Sequence, residues 1–290
     1  MRVAVIGGTG FVGEHVLRAL AAAGHDPLAI ARRVSPGFGF PFRPADATVD
    51  GSLDGPLTGC DAVVWAAGSL RQSRRQTFHD IHTTGVRHLV AACRSRHVRR
   101  MVLVSALGAR EGSRSAFYRA KWSGEVAARH SLLDVTVLRP SAIYGEGDNF
   151  VAPMSRMLRR WPVAPLPGAG TSVLAPVAVE DVARAAIGSL ARPETAGAAL
   201  DLPGPEVISI GDVYERVMEA IGVRRPRVGV PYVVIEPLSY LVRRTPGVPF
   251  SFDQLAILEE EATAAKEDGW RALELSPQRF TGEAIRAAVA

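Results

Sequence analysis

The stretch Val3-Ala4-Val5-Ile6-Gly7-Gly8-Thr9-Gly10-Phe11-Val12-Gly13 runs a short apolar segment straight into Gly7, Gly10 and Gly13, spaced three apart. An amphipathic segment follows at once, with Val12, Val16, Leu17 and Leu20 recurring at helical spacing. A strand that turns sharply through glycines into a helix presents free N–H groups at the helix start, and these hold an anion such as a pyrophosphate. Glycine permits the turn, lets the backbone approach the ligand and lets the helix pack on the strand. Thr9, Phe11 and Val12 are the remaining loop residues that border such a ligand.

Outward from this loop the same alternation repeats. Apolar runs at Leu28–Ala31, Ala62–Ala66, Met101–Val104 and Val135–Leu138 read as strands, and the amphipathic segments Phe11–Ala23, Phe78–Cys93 and Phe117–His130 read as helices. Continuously apolar strands that alternate with helices belong to a parallel sheet covered on both faces, so the fold class is α/β, a doubly wound parallel sheet. Past Gly145 the pattern breaks, and prolines and glycines crowd the stretch from Pro162 to Pro176. A helix opening near Glu180-Asp181 returns the chain to the sheet. The expected division is a nucleotide-binding domain over 1–145 joined by 176–198, with 146–175 and 199–290 forming a smaller C-terminal lobe. The apolar runs Val207–Ile210 and Val228–Val234 belong to that lobe.

Composition narrows the function classes. The 290 residues are 47% hydrophobic and 22% charged, ordinary for a packed globular protein and too apolar for disorder. The net charge is +5, yet only Lys121 and Lys266 are lysines, and the arginines are scattered among acids without interleaved aromatics. The densest basic group, Arg94, Arg96, Arg99 and Arg100, falls at a helix end, where cations suit the dipole. Nucleic acid is therefore not an expected partner. Cys60 and Cys93 have no metal-type spacing and read as buried thiols in a reducing compartment, with no metal site. A strand beginning at Arg2 leaves no room for a cleaved leader, and the longest uncharged stretch, Trp161–Val179, is broken by prolines and glycines and cannot be a spanning helix, so a cytoplasmic location is expected.

The end of the second strand decides the nucleotide. An acidic residue there would bind a ribose 2′-hydroxyl, but after Leu28-Ala29-Ile30-Ala31 this chain has Arg32-Arg33. Guanidiniums pair with a 2′-phosphate by charge-assisted hydrogen bonds where a carboxylate would repel it, so NADP(H) is preferred over NAD(H). Asp46-Ala47, after the third strand, is placed to receive the adenine amino group. Ala66-Ala67-Gly68, after the fourth, is placed beneath the ribose, where small residues allow close approach.

With these residues in place, the sequence resembles the short-chain dehydrogenase/reductase superfamily, in the extended and atypical branches that include nucleotide-sugar epimerases and dehydratases. The resemblance covers most of the chain: the glycine loop, Ala66-Ala67-Gly68, Val104-Ser105-Ala106-Leu107-Gly108-Ala109, the helix carrying Lys121, and Leu138-Arg139-Pro140-Ser141-Ala142-Ile143-Tyr144-Gly145. Ser105-Ala106-Leu107-Gly108, Gly145-Glu146-Gly147-Asp148-Asn149-Phe150 and Pro176-Val177-Ala178-Val179-Glu180-Asp181-Val182-Ala183 make it look most like the nucleotide-binding accessory subunit of respiratory complex I and its bacterial relatives. The resemblance implies that Ser105 and the backbone from Pro140 to Ile143 border the nicotinamide and that Lys121 bonds its ribose. That one of only two lysines stands at this position is independent support for a role that needs a compact ammonium.

The chemistry departs from the family. Active members carry a tyrosine four residues before the lysine as general acid or base, and here that position is Phe117, which cannot transfer a proton. Tyr118 is adjacent, but one step along a helix turns a side chain by roughly 100°. The family's polarising hydroxyl is displaced as well, since Ser105 lies two positions early and Leu107 takes the expected place. Lys121, Tyr118 and Tyr144 are the candidate catalytic residues, with His82 a further titratable neighbour, while Glu146 and Asp148 read as loop carboxylates. Three functions follow: a reductase of a bulky apolar carbonyl or quinone-like compound with a non-standard proton donor, a non-catalytic NADPH-binding structural or redox-sensing protein, and a nucleotide-sugar epimerase or dehydratase, which needs the missing tyrosine most. The smaller lobe offers a small-molecule cleft or a protein partner. Pro231–Pro249, with Tyr232, Leu238, Tyr240, Leu241, Arg243 and Arg244, reads either as a lobe helix with a buried apolar face or as a partner or membrane-surface patch. Monomer and dimer both remain open.

Overall fold

The computed structural model describes residues 1–73, 76–234, 257, 260 and 268–289. Leu238, Tyr240, Leu241, Arg243 and Arg244 lie outside the described residues. The chain divides into two compact units, one of Met1–Pro140, Val179–Leu202 and Ala265–Ser276, the other of Ser141–Ala178, Pro203–Ala264 and Pro277–Ala290.

The apolar runs of the first unit become strands because each can bury both of its faces. They are β1 (Arg2–Ile6), β2 (Asp26–Ala31), β3 (Phe42–Pro44), β4 (Ala62–Trp65), β5 (Arg100–Val104) and β6 (Asp134–Pro140), joined at the edge by β11 (Ala199–Leu202). Their order is β11-β6-β5-β4-β1-β2-β3, and every neighbouring pair is parallel. This is the doubly wound α/β sheet expected from the alternation. Its strand order reverses between β1 and β4, the point at which such sheets bind ligands at their carboxyl ends. Helix α1 (Phe11–Ala22) packs against α5 (Val179–Ala191), and α2 (Gly85–Ser95) packs against α3 (Ala116–Arg129). The core includes Ile6, Ile30, Val63, Trp65, Leu89, Met101, Leu103 and Val137. Each such side chain stabilises the fold by about 1.5–3 kcal/mol relative to exposure.

Two local departures from the periodicity matter. Phe78–Cys93 reads as one helix, but Asp80–Thr84 forms a π-helical turn that feeds α2. The turn starts where Thr77 and Asp80 exchange bonds, Thr77 N donating to Asp80 Oδ2 (2.8 Å) and Asp80 N to Thr77 Oγ1 (3.2 Å). The wider turn brings the His82 carbonyl against Gly124 of α3, where a Cβ would collide with it. The second departure is at the sheet edge: β11 and 268–276 join the first unit, although the sequence pattern groups both with the smaller lobe. β11 gains a parallel partner in β6, and Gly269 comes so close to the Asp201 carbonyl that a Cβ there would sit 2.7 Å from it.

The second unit contains β7 (Ile143–Tyr144) paired with β10 (Val177–Ala178), β8 (Ala164–Pro167) with β13 (Arg227–Val230), and β9 (Val173–Leu174) with β12 (Ile208–Ser209). Helices α4 (Val151–Arg160) and α6 (Ile210–Ala220) and the helix Gly282–Val289 surround a core of Tyr144, Met154, Leu158, Val213, Val217, Phe280 and Ile285. A reciprocal cap between Ser209 and Asp212 starts α6, since both residues satisfy backbone donors that the helix leaves open. No described helix is long and apolar enough to cross a membrane.

Candidate nucleotide site and its catalytic neighbourhood

The glycine loop is shaped by contacts that a side chain would destroy. Gly7 has φ +79°, its N–H donates to Ile30 O at 2.8 Å, and a Cβ on it would lie 2.5 Å from Ala67 Cα. A Cβ on Gly13 would collide with the Gly7 carbonyl. The loop after β1 is thus pressed between β2 and Ala66-Ala67 after β4. Gly10 starts α1 with no side-chain cap, so the first-turn amides are left for a ligand. A pyrophosphate fits this cradle.

Arg32 and Arg33 are exposed just past β2, and Arg32 Nη1 donates to Gln76 Oε1 at 3.2 Å. Asp46 Oδ1 accepts from Thr48 N (3.0 Å) and Thr48 Oγ1 (2.7 Å), and the Ala47 carbonyl is 3.0 Å from His88 Nδ1. The loop after β3 is therefore stiffened by its own side chains. Gly68 faces His82, whose Cε1 would be 3.3 Å from a Cβ at that position.

Beside this loop stands a cluster of four residues. The Lys121 ammonium donates to Val104 O at 2.9 Å, at the carboxyl end of β5, and lies 5.7 Å from the centre of the Phe117 ring. Burial pulls its pKa down to about 8, against an opposing pull from Glu125. The Phe117 ring is edge-on to His82 (5.2 Å) and Phe78 (5.5 Å). His82 is buried, with Nε2 3.4 Å from Ser69 O and Nδ1 without a partner. Burial first, and the Lys121 charge second, hold this imidazole well below its usual range, so it is neutral at pH 7. Tyr118 borders this cluster through Phe117. Its ring covers Gly108, leaving no space for a Cβ, and its centre is 5.5 Å from that of Phe117.

Ser105 belongs to a different network. Its hydroxyl donates to Glu125 Oε1, and Arg139 Nε lies 3.1 Å from both Glu125 oxygens. Arg139 Nη1 approaches Asp201 Oδ1 at 3.8 Å, and its guanidinium lies 5.6 Å from the Trp122 ring. Sequence reasoning missed this buried chain of charges. The only signal was a glutamate one helical turn after Lys121, on the same face of α3. The Pro140 carbonyl accepts from Leu107 N at 2.9 Å, which anchors the loop after β5 to the end of β6.

In the second unit, Ile143 pairs with Val177. The Tyr144 hydroxyl donates to Arg279 O at 3.2 Å, and its ring meets Phe280 edge-on at 4.8 Å, so this phenol is engaged in the core of its own unit. Asp148 accepts from the amides of Gly145, Phe150 and Ala152 and so organises its loop, while Glu146 is exposed. Both cysteines are free and buried, and burial pushes the Cys93 thiol up to about 12. No group of metal-ligating residues occurs among the described residues.

A seven-stranded parallel sheet, a capless helix behind a glycine loop and small residues at the switch point define a Rossmann-type nucleotide-binding protein. The chain belongs to the NAD(P)H-binding family, whose model matches residues 7–193. Ceramide reductase of Caulobacter vibrioides is 33% identical over 62% of this chain and 58% of its own length. The mitochondrial NADH dehydrogenase (ubiquinone) 1 alpha subcomplex subunit 9 of Arabidopsis thaliana is 26% identical over 96% of this chain and 75% of its own. Among solved structures, MoeE5 in complex with UDP-glucose and NAD shares the fold with a TM-score of 0.78 at 20% identity, over 100% of this chain and 97% of that one. The UDP-glucose 4-epimerase of Thermus thermophilus does so with a TM-score of 0.74 at 22% identity, over 100% and 98%.

Proposed function

We propose that the protein is an NADP(H)-dependent reductase of a bulky apolar carbonyl or quinone-like compound, in which Lys121 supplies the proton that tyrosine supplies elsewhere. The observation that carries this reading is the Lys121 ammonium itself. It is brought to a pKa of about 8 at the carboxyl end of β5, with a phenyl ring in place of the phenol it would ordinarily serve. A proton held with that affinity is both present and transferable near neutral pH. The reduced nicotinamide supplies hydride. Lys121 would give its proton to the substrate's carbonyl oxygen, and its neutral amine would regain one from water. The glycine loop holds the pyrophosphate, and Arg32 and Arg33 hold the 2′-phosphate that distinguishes NADPH. Asp46 and Ala47 border the adenine, and Ala66, Ala67 and Gly68 run beneath the ribose. The name of the ceramide reductase relative supports an apolar substrate class.

Phe117 and the neutral His82 favour a second reading, in which NADPH stabilises the folded form without turnover. Relatives named as respiratory subunits support a protein partner under that reading. Epimerase chemistry ranks last, because it needs a base for a substrate hydroxyl at the position of Phe117. Titration with NADPH, followed by its near-ultraviolet absorbance in the presence of long-chain ketones, quinones or nucleotide sugars, separates the three. Oxidation by the apolar carbonyls, lost in Lys121→Met, is the expected result. Saturable NADPH binding with no acceptor oxidised overturns the reductase in favour of the binding protein.

A further inference from the structure

Helix α4 and the segment leading into β13 carry Arg156, Arg159, Arg160, Arg224, Arg225 and Arg227. Helix α4 has no acidic residue, and Arg156, Arg159 and Arg160 share one exposed face at the i, i+3, i+4 spacing, opposite the buried Val151, Met154 and Leu158. Trp161 ends the helix and is 37% exposed. The segment leading into β13 is tied to the same spot. Arg225 Nε donates to Leu158 O at 3.0 Å, Ala164 N donates to Pro226 O at 2.9 Å, and Arg227 pairs in register with Ala164. Exposed Arg224 and Arg227 therefore stand beside the C-terminus of α4, next to Val228, which is 45% exposed. Arg227 is 3.3 Å from Glu215, whereas Arg156, Arg159, Arg160 and Arg224 have no ion-pair partner among the described residues. Among the described residues, most of these guanidiniums are thus uncompensated.

We propose that this patch is a docking surface for an anionic lipid bilayer. The charge complements acidic headgroups, and each basic residue near such a surface adds to the attraction. Trp161 has the amphipathic ring that settles at the headgroup level of a bilayer. Val228 decides between lipid and nucleic acid as the polyanion. Exposed beside Arg227, it gains nothing from a phosphate backbone but gains from entry into the acyl boundary. The contact is peripheral, because the apolar face of α4 is spent on the core of its own unit.

The test is co-sedimentation of the full chain with vesicles of phosphatidylcholine alone and with about one-third phosphatidylglycerol, at low and high salt. The expected result is binding to the anionic vesicles only, weakened by salt. Arg159→Glu with Arg160→Glu should lower the partition coefficient by about tenfold or more, and Trp161→Ala by a smaller factor. Arg159→Gln with Arg160→Gln serves if charge reversal impairs folding, as read by circular dichroism and NADPH affinity. Equal binding to neutral vesicles, no binding to either, or unchanged binding by the variants overturns the proposal. So does tighter binding to an RNA or DNA duplex than to the anionic vesicles.

Discussion

The Lys121 ammonium faces the Phe117 ring at 5.7 Å, so a cation that normally tunes a phenol sits over a phenyl face that has nothing to titrate. If Lys121 is the acid, the reductase rate is highest where the ammonium is protonated and falls above about pH 8, the value to which burial brings it. The expected limb has a slope of about tenfold per pH unit. Lys121→Arg removes that limb, since a guanidinium does not deprotonate in this range, and lowers kcat by about a hundredfold or more. A pH–rate profile that is unchanged in Lys121→Arg would assign the proton elsewhere.

Arg32 and Arg33 are exposed and border no carboxylate in the described hydrogen bonds, Arg32 being held by Gln76. Replacing both with alanine should weaken NADPH by about tenfold to a hundredfold and NADH by less than about threefold, as losing charge-assisted bonds to one phosphate implies. Isothermal titration of both nucleotides reads this directly. Equal losses would remove the 2′-phosphate from the site.

His82 ties stability to acid. Its native pKa is depressed, so below the ordinary imidazole value the unfolded chain binds a proton that the folded chain refuses, and stability falls with pH. Going from about pH 7.5 to about pH 5.5, this residue alone should remove stability, by at most about 1.4 kcal/mol. Urea unfolding of the wild type and of His82→Gln at both pH values isolates that share as the difference between their pH dependences. Identical dependences would mean that the imidazole reaches water.

Glu125 has no exposed surface and balances Arg139 and Ser105. Glu125→Ala removes the carboxylate that Arg139 pairs with most closely, leaving Asp201 at 3.8 Å, and should cost about 3 kcal/mol in denaturant unfolding, the lower end for a broken buried pair, whereas Glu125→Gln, which still accepts bonds, should cost less. A loss below about 1 kcal/mol for the alanine variant would show that water replaces the carboxylate.

The sheet was legible because its strands are buried on both faces and therefore read as unbroken apolar runs, and the loop because only glycine tolerates the contacts at Gly7 and Gly13. The π-helical turn at Asp80–Thr84 was not legible, because it keeps the composition of the helix it interrupts. The Glu125–Arg139 pair was hidden for a related reason: on α3 a buried carboxylate has the same spacing as a solvated one, and only the partner on β6 makes the difference. The apolar run Val228–Val234 is assigned by sequence to the smaller lobe, and within it Val228, Val233 and Val234 are exposed. A run of apolar residues reports propensity for burial, and tertiary structure decides whether anything covers it.

Finally, the first unit is assembled from three separate lengths of chain, with β11 and the Gly269 segment arriving long after β6. On a ribosome adding about 5–20 residues per second, the nucleotide loop and six strands emerge well before their edge partner exists. For that interval β6 is a bare edge, able to recruit a wrong strand from the same nascent chain or from a neighbouring one. The order of synthesis thus leaves β6, rather than the nucleotide loop, as the open pairing edge of newborn copies of this protein.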